Sequence, residues 1–163
     1  MNVQLRKMNT REFQQFKRYS IEDYSKDLME NSEMSFEEAM IQSKKEFTEM
    51  LTDGVDTPDT ELMVIEDTDT QKKVGVIWYL YEVTDGIKHT FLSDFVIKEE
   101  ERRKGYATAA LYEMEKRASM NGCTECRLFV WKHNPKGIKL YTKVGYTEFR
   151  DEDDGMYMKK IIS

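Results

Sequence analysis

A short basic turn that contains a glycine constrains this chain more than any other feature. An apolar run from Phe91 to Ile97 predicts a strand, and a helical pattern then continues to about Asn121. Between them stand Arg102, Arg103, Lys104, Gly105, Tyr106 and Ala107. The first amides of a helix have no internal partner, and the helix dipole favours negative charge there. With a glycine for close approach and cationic side chains beside it, this basic turn (residues 102–105) is suited to binding phosphate.

Length and composition indicate a packed globular protein. The chain has 163 residues with 2 prolines and 8 glycines, and we expect a single domain over residues 1–163. It lacks an apolar run near the roughly 20 residues of a membrane helix. No signal-peptide pattern opens it. We therefore expect a cytoplasmic protein with no membrane partner.

The charge balance bears on the choice of partner. The formal net charge is −6 and the isoelectric point is near 5.1. Nucleic-acid binding needs a basic surface, so we expect no nucleic-acid partner. An acidic chain is compatible with a cationic substrate, although acidity can also serve solubility alone.

Cys123 and Cys126 form a C-x-x-C pair, which raises the question of redox or metal chemistry. A redox pair of this kind normally opens a helix, whereas this one follows a helix and leads into a strand. A zinc site needs more ligands, and only His89 and His133 are available, at unsuitable spacing. We expect buried structural thiols and no metal.

Two amphipathic helices are predicted near the N-terminus. Thr10 can cap the first helix, and Ser35 forms a capping box with Glu38 at the start of the second. Gly54 is suited to the left-handed position that follows a helix. Because two such helices must cover an apolar surface, they predict a sheet.

The remaining pattern predicts a sheet of mixed direction. Three strands with short turns form an antiparallel meander, and a strand–helix–strand crossover from Phe91 to Trp131 must be parallel and right-handed. Asn134 followed by proline begins a short helix that Gly145 ends. The predicted strands are 3–7, 61–66, 73–83, 90–97, 126–131, 147–150 and 155–161. The fold class is therefore α+β, with a mixed, mostly antiparallel sheet and helices on both faces.

Two motifs resemble the signatures of the GCN5-related N-acetyltransferases, the GNAT family. Arg102-x-x-Gly105-x-Ala107 matches the acyl-CoA signature [Arg/Gln]-x-x-Gly-x-[Gly/Ala]. Residues 134–146 resemble the second signature, which has Asn, a small residue, Leu-Tyr and then Gly with an aromatic residue. Gly137 departs from the usual Ala, and residues 99–101 place three glutamates before the basic turn. The chain is similar to bacterial single-domain members of the family.

The resemblance implies the acyl-CoA N-acyltransferase fold and an enzyme that uses acetyl-CoA or a longer acyl-CoA. The acceptor would be a small-molecule or protein amine. The pyrophosphate would lie on the amides of residues 103–108, and the pantetheine arm would pair with residues 95–97 like an added strand. The implied cofactor-binding residues are Phe95, Val96, Ile97, Arg102, Arg103, Lys104, Gly105, Tyr106, Ala107, Thr108, Asn134 and Tyr141.

Acetyl transfer to an amine needs a neutral nucleophile, an oxyanion binder and help for the leaving thiolate. The amide of Val96 or Ile97 is the expected oxyanion binder, and Tyr141 the expected proton donor to sulfur. Asp94 shares a strand face with Val96 and is one candidate base. Glu82, facing Asp94 from the neighbouring strand, is the other. The plainer interpretations are a packed aromatic for Tyr141 and solvated strand-end carboxylates for the two acids.

Two alternatives stay open. One is a module that binds acyl-CoA or regulates another protein without catalysis, and it predicts cofactor binding without turnover. The other concerns assembly: this fold often pairs through sheet edges or terminal strands, so a homodimer is one expectation.

Overall fold

The computed structural model describes residues 2–162, in two compact units. The first unit joins Met1–Lys7 to Asp59–Ser163 and carries the whole sheet, and the second is Met8–Pro58. The single domain that the sequence predicts over residues 1–163 stays a prediction. Among the residues described, no helix is both long enough and apolar enough to cross a membrane.

The order of elements agrees with the sequence pattern. The helices are α1 (Thr10–Glu30), α2 (Phe36–Met50), α3 (Tyr106–Met120) and α4 (Pro135–Val144). The strands are β1 (Val3–Lys7), β2 (Thr60–Asp67), β3 (Lys73–Thr84), β4 (Ile87–Ile97), β5 (Glu125–Trp131), β6 (Thr147–Asp151) and β7 (Gly155–Ile161).

The seven strands form one mixed sheet in the order β1-β2-β3-β4-β5-β7-β6. Every neighbouring pair is antiparallel except β4 and β5, which run parallel across the crossover through α3. The predicted meander and the predicted parallel crossover are both confirmed.

The parallel pair separates halfway along its length. Pairing between β4 and β5 runs from His89 with Glu125 to Leu92 with Leu128 and then stops. Both strands continue, β4 for residues 93–97 and β5 for residues 129–131. The sheet therefore opens between them, and the second half of β4 keeps only its β3 neighbour.

A bulge marks the point of separation. Trp78 pairs with Asp94, but the next residue, Tyr79, pairs with Leu92. Ser93 is thus the extra residue on β4. A bulge bends its strand and increases the local twist, which is a physical reason for β4 to diverge from β5 here.

The sheet presents two faces, and α3 covers one of them. Ile77 and Tyr79 belong to the same buried cluster as Leu111 and Met114 of α3. Trp78, between the first two, points to the opposite face because side chains alternate along a strand. We refer to these as the α3 face and the Trp78 face.

The second unit shows two helices packed through phenylalanines. The rings of Phe13 and Phe16 each lie 6.2 Å from that of Phe47. The first helix is capped by Asn9 and not by Thr10, because the Asn9 side chain accepts the Glu12 amide in a complete capping box.

The capping box of Ser35 and Glu38 is confirmed. The helical spacing in this segment predicts a buried stripe of Phe36, Met40, Ser43, Phe47 and Met50 or Leu51. Burial is confirmed at Ser43, Phe47 and Leu51, but the prediction is wrong at Phe36, which is 49% exposed. Ala39 is buried on this helix instead.

Candidate active site

The basic turn has the backbone shape that its sequence suggested. Arg103 and Gly105 both have left-handed φ values, 64° and 89°. Helix α3 begins at Tyr106, and its first bond joins the Ala109 amide to the Gly105 carbonyl at 3.1 Å. The amides before Ala109 thus precede the helical ladder and point out of its N-terminus. A Cβ on Gly105 would meet no atom of the described chain within 4 Å, so this space is open to a ligand.

Two cationic side chains of the basic turn already bond to other groups of the protein. Arg102 Nε donates to the Ile97 carbonyl at 3.0 Å, tying the turn to the end of β4. Lys104 Nζ donates to Glu101 at 2.9 Å, so its charge is shared with a carboxylate. The Arg103 side chain is exposed.

The three glutamates that precede the basic turn, residues 99–101, differ in exposure. Glu99 and Glu100 are exposed, whereas Glu101 is 2% exposed and turns inward. Lys72 and Lys104 both pair with it. These two ammonium groups lower the pKa of Glu101, chiefly through the Lys72 hydrogen bond. The repulsion that the inward Glu101 carboxylate would exert on a phosphate is therefore offset by its two lysine partners.

The Tyr106 side chain corrects an expectation from the sequence. It is buried, and its hydroxyl donates to Asp67 Oδ2 at 2.6 Å. Its phenol thus anchors the start of α3 to the end of β2, and only its backbone is placed to meet a ligand. Ala107 and Thr108 follow in the first turn of the helix and are half-buried.

The free half of β4 offers backbone groups to the opening in the sheet. The Lys98 amide donates to the Val74 carbonyl at 2.8 Å. By the alternation of an antiparallel ladder, Val96 also points its backbone groups toward β3, whereas Phe95 and Ile97 point theirs away. Ile97 is therefore the better placed of the two expected oxyanion donors.

Asp94 and Tyr141 approach the opening from different faces. Asp94 is opposite Trp78 and so belongs to the Trp78 face, while Tyr141 packs against the core on the α3 face. The Asp94 side chain turns to the strand edge, where Oδ1 accepts the Phe95 amide at 2.8 Å. Burial raises the pKa of Tyr141, and the nearby Asp94 carboxylate raises it further. The phenol therefore keeps its proton at neutral pH.

A buried network holds the end of α4. The Tyr146 ring lies 6.0 Å from the Tyr141 ring, and the Tyr146 amide donates to the Tyr141 carbonyl at 2.9 Å. The Tyr146 hydroxyl donates to Glu115 Oε2 at 3.0 Å, and Lys160 bonds the other oxygen of Glu115 at 2.7 Å. These contacts tie α4 to α3 and β7, and so fix the position of Tyr141.

Asn134 caps α4. Its Oδ1 accepts the Gly137 amide at 3.0 Å, and proline follows as the first helical residue. A Cβ on Gly137 would lie 2.5 Å from Asn134 Nδ2. The unusual glycine thus makes room for the Asn134 carboxamide over the helix end.

Glu82 lies away from Asp94. Its partner across the strands is His89, whereas Asp94 is opposite Trp78. Four residues along β3 separate the two positions, or roughly 13 Å. Glu82 is also exposed. The expectation that Glu82 faces Asp94 is therefore wrong.

Ser93 is a candidate that the sequence pattern did not single out. It is the bulge residue where β4 and β5 part. Its hydroxyl oxygen is buried, and within residues 2–162 it has no hydrogen-bond partner. A buried hydroxyl without a partner costs about 1–3 kcal/mol, so it marks a place where a ligand group is expected. A serine in a strand carries no sequence signal of this kind, because the bulge appears only in the pairing.

The cysteines and histidines lie outside this arrangement. Cys123 and Cys126 are free and buried, and burial raises the pKa of Cys126 to about 11. The place of His89 beside a predicted turn suggests a surface side chain, but it is 2% exposed and bonds Thr84 and Thr90. Over the described part of the chain, no group of three or more acidic, His or Cys side chains could hold a metal ion.

The geometry agrees with sequence comparison. The family model described as Acetyltransferase (GNAT) family matches residues 15–146. The chain belongs to the GNAT acetyltransferase family. YycN of Bacillus subtilis, named as an uncharacterised N-acetyltransferase, is 30% identical over 148 residues, covering 91% of this chain and 94% of YycN. YdgE of the same organism, similarly named, is 27% identical over 90% of this chain and 92% of its own length.

Solved structures show the same fold. The crystal structure of YycN superposes with a TM-score of 0.86 at 29% identity, covering 93% of this chain and 96% of that one. The PaiA N-acetyltransferase of Thermoplasma acidophilum, crystallised with coenzyme A, has a TM-score of 0.71 at 20% identity and 99% coverage of both chains. The fold is that of the acyl-CoA N-acyltransferases, and this GNAT protein is an acetyl-CoA-dependent N-acetyltransferase.

The residues present fit acetyl-CoA as co-substrate. The left-handed Gly105 leaves open space at the N-terminus of α3, where backbone amides suit a pyrophosphate. The Phe95–Ile97 edge of β4 lacks a β5 partner, which suits a pantetheine arm that pairs like a strand.

Proposed function

We propose that this GNAT protein transfers the acetyl group of acetyl-CoA to a primary alkylamine by direct attack within a ternary complex. The observation that carries the proposal is the opening between β4 and β5 after Leu92, with Asp94 on one face of the sheet and Tyr141 on the other. An acid and a base on opposite faces suit a reaction in which the amine arrives on one side and the thiolate leaves on the other.

Acetyl-CoA supplies an acetyl group that is activated as a thioester. Tyr141 holds a proton at its hydroxyl, because burial and Asp94 raise its pKa. A thiol has a pKa of about 8.5, so a phenol with a raised pKa helps mainly as a hydrogen-bond donor to the leaving sulfur. The Ile97 amide is the donor suited to the developing oxyanion. The Ser93 hydroxyl lies four residues, or roughly 13 Å, back along β4, and it is suited to a substrate group beside Asp94.

Asp94 is the proposed base. An alkylammonium has a pKa of about 10.4 and must lose a proton before it can attack. The Asp94 carboxylate lies at the strand edge beside the opening, and it can accept that proton directly or through water. Glu82, exposed and roughly four residues further along, is not placed for this role.

Polyamines are the first acceptors to test. Among the structural neighbours is the spermidine N-acetyltransferase of Vibrio cholerae, solved with CoA and spermine, at a TM-score of 0.69 and 17% identity. Identity at this level supports the fold alone. The formal net charge of −6 is compatible with a polycationic acceptor, and this agrees with the choice.

The decisive assay follows thiol release from acetyl-CoA across a panel of spermidine, spermine, butylamine and lysine peptides. Asp94→Asn is expected to lower kcat by about 100-fold, within the usual range for a general base, with CoA affinity unchanged. Glu82→Gln, on the neighbouring strand, is the matched control and is expected to keep kcat. Equal losses in the two variants would overturn the assignment of Asp94.

The alternative of a module without catalysis makes the opposite prediction. Such a protein would bind CoA by calorimetry yet release no thiol with any amine of the panel. Binding without turnover across the whole panel would therefore favour that alternative.

A further inference from the structure

The turn between β2 and β3, residues 67–72, touches the basic turn at two separate points. At the first, the Tyr106 hydroxyl donates to Asp67 Oδ2 at 2.6 Å. Both residues are 7% exposed. Tyr106 is the first residue of α3 and directly follows Gly105, so this bond fixes the beginning of the helix.

Asp67 is itself held rigidly. Its Oδ1 accepts the amides of Asp69 at 2.8 Å and Thr70 at 3.1 Å, within its own turn. The Tyr106 hydroxyl and these amides lower the pKa of Asp67, so the carboxylate stays ionised at neutral pH. A hydrogen bond from a phenol to an ionised carboxylate is stronger than a neutral one.

The second contact passes through Glu101. This buried carboxylate forms an ion pair with Lys72 of the β2–β3 turn, 2.5 Å from Oε2, and with Lys104 of the basic turn, 2.9 Å from Oε1. Burying a carboxylate is costly unless it is well paired, so Glu101 binds both lysines together. The three groups carry one net positive charge, and Lys72 adds a cation that no motif around Gly105 contains.

We propose that the β2–β3 turn positions the basic turn for the nucleotide diphosphate of acetyl-CoA. Arg103 and Gly105 hold left-handed backbone conformations, which for an L residue cost about 1–2 kcal/mol. A turn of this shape presents its amides in fixed directions only if its neighbours hold it. The two anchors flank the turn, with Glu101 before it and Tyr106 after it. The inference rests on the proposed function, and it adds residues 67–72 to the cofactor site.

The test compares two acetyl donors. S-acetyl-pantetheine carries the same thioester as acetyl-CoA but lacks the nucleotide diphosphate. Tyr106→Phe removes only the anchoring hydroxyl and leaves the buried ring in place. It is expected to lower kcat/KM with acetyl-CoA by about five- to tenfold, the range for loss of a typical hydrogen bond, and to change it by less than about twofold with S-acetyl-pantetheine.

Lys72→Met is the second variant and removes the other anchor at a residue whose side chain is 60% exposed, while Lys104 remains paired with Glu101. Urea denaturation checks that this variant is folded under the assay conditions. The dissociation constant of CoA, measured by calorimetry, is expected to rise by about three- to tenfold in each variant. This measurement does not depend on turnover with the shorter donor.

Tyr146→Phe is the matched control. It also removes a buried phenol that donates to a carboxylate, Glu115 at 3.0 Å, but at the middle of α3 and away from the basic turn. Any loss of activity is expected to be the same factor for both donors, because no contact at the basic turn changes.

Two results are distinguishable. If the wild-type protein neither binds CoA nor uses either donor, the proposed function fails. If the wild-type protein is active and Tyr106→Phe and Lys72→Met change neither the donor ratio nor CoA affinity, the positioning role of the β2–β3 turn is overturned and the proposed function stands.

Discussion

At the scale of single residues, the hydroxyl of Ser93 is the most informative group. It is buried at the β4 bulge and has no partner within residues 2–162. Removing a hydroxyl that makes no bond leaves no donor or acceptor unsatisfied, so the free protein should not lose stability. Removing a group that contacts bound substrate should slow turnover. Stability and activity are thus expected to respond differently at this position.

We predict that Ser93→Ala lowers kcat by about tenfold and does not lower the free energy of unfolding, which can rise by up to about 1–3 kcal/mol because an unsatisfied buried hydroxyl is removed. Steady-state kinetics and urea denaturation measure the two quantities. Ser43→Ala is the control, because Ser43 is buried and its hydroxyl donates to the Ile21 carbonyl at 2.7 Å. That variant is expected to lose about 1 kcal/mol and keep kcat. An unchanged kcat in Ser93→Ala would remove Ser93 from the site.

The raised pKa of Tyr141 has a direct consequence for the pH profile. A phenol loses its proton near pH 10 in water, and burial together with Asp94 moves this loss to higher pH. A donor that must stay protonated is therefore present throughout the alkaline range. We predict that log kcat/KM rises with pH as the amine deprotonates and shows no descending limb up to about pH 10.

Measurements of kcat/KM from pH 6 to pH 10, with one alkylamine, check this expectation. A control at each pH confirms that the protein stays folded. A descending limb that disappears in Tyr141→Phe would mean that the phenol titrates in the ordinary range, against the effect of burial and Asp94.

At the scale of elements, the start of α4 shows two opposing contributions to helix stability. Alanine is favoured over glycine in a helix by about 1 kcal/mol. However, a Cβ at residue 137 would lie 2.5 Å from Asn134 Nδ2, so the carboxamide that caps the helix must move. Loss of an Asn cap costs typically about 1 kcal/mol. The two effects oppose each other.

We predict that Gly137→Ala changes stability by less than about 0.5 kcal/mol in the wild-type background. In an Asn134→Ala background, where no cap can be lost, the same substitution is expected to stabilise the protein by about 1 kcal/mol. Thermal or urea unfolding of the four proteins completes the double-mutant cycle. Additive effects would show that the Asn134 cap survives beside an alanine.

The β3–β4 hairpin and the β4–β5 pair set the geometry of the candidate site at this scale. The bulge at Ser93 shifts the register by one residue, and the end of pairing at Leu92 opens the sheet. The hydrophobic pattern of these strands predicts that they exist and pair. It does not predict the bulge, because a single extra residue in a β-rich run leaves the composition of the run unchanged.

At the scale of the whole molecule, cofactor binding should appear as a change in global stability. A ligand at 100 times its dissociation constant adds about 2.7 kcal/mol of apparent stability. For a chain of this size that corresponds to a rise in Tm of about 5–10 °C. Acetyl-CoA is expected to give such a rise in the wild-type protein.

We predict that Gly105→Glu abolishes this thermal shift. The side chain would occupy the open space beside the turn with a negative charge, and the left-handed φ would cost about 1–2 kcal/mol in the free protein. Gly122→Glu is a close control, since Gly122 has φ 85° and equally open space at the other end of α3. The control is expected to lose similar stability and keep the full shift. An unchanged shift in Gly105→Glu would contradict the phosphate assignment.

Much of the fold could be predicted from the chain because local patterns are strong here. Alternating apolar residues, the box of Ser35 and Glu38, and Gly145 after α4 all act within a few residues of each other. The predictions from sequence were wrong where two neighbouring residues can each cap the same helix, as Asn9 and Thr10 can at α1. They were also wrong where the burial of a side chain depends on what packs against it, as at Phe36. The expected contact of Glu82 with Asp94 failed because strand register depends on the turn and the bulge.

The sequence alone determined the basic turn, the helix behind it and the second motif that carries Asn134 and Tyr141, because each is a short-range pattern of charge, glycine and capping. Only the tertiary structure showed that Tyr106 bonds Asp67 and that Glu101 pairs with Lys72 beside the turn. It alone showed that Asp94 lies near enough to Tyr141 to raise its pKa, and that the buried Ser93 hydroxyl has no hydrogen-bond partner in residues 2–162. These relations join residues far apart in the chain. They arise from strand order, register and burial, which no local pattern encodes.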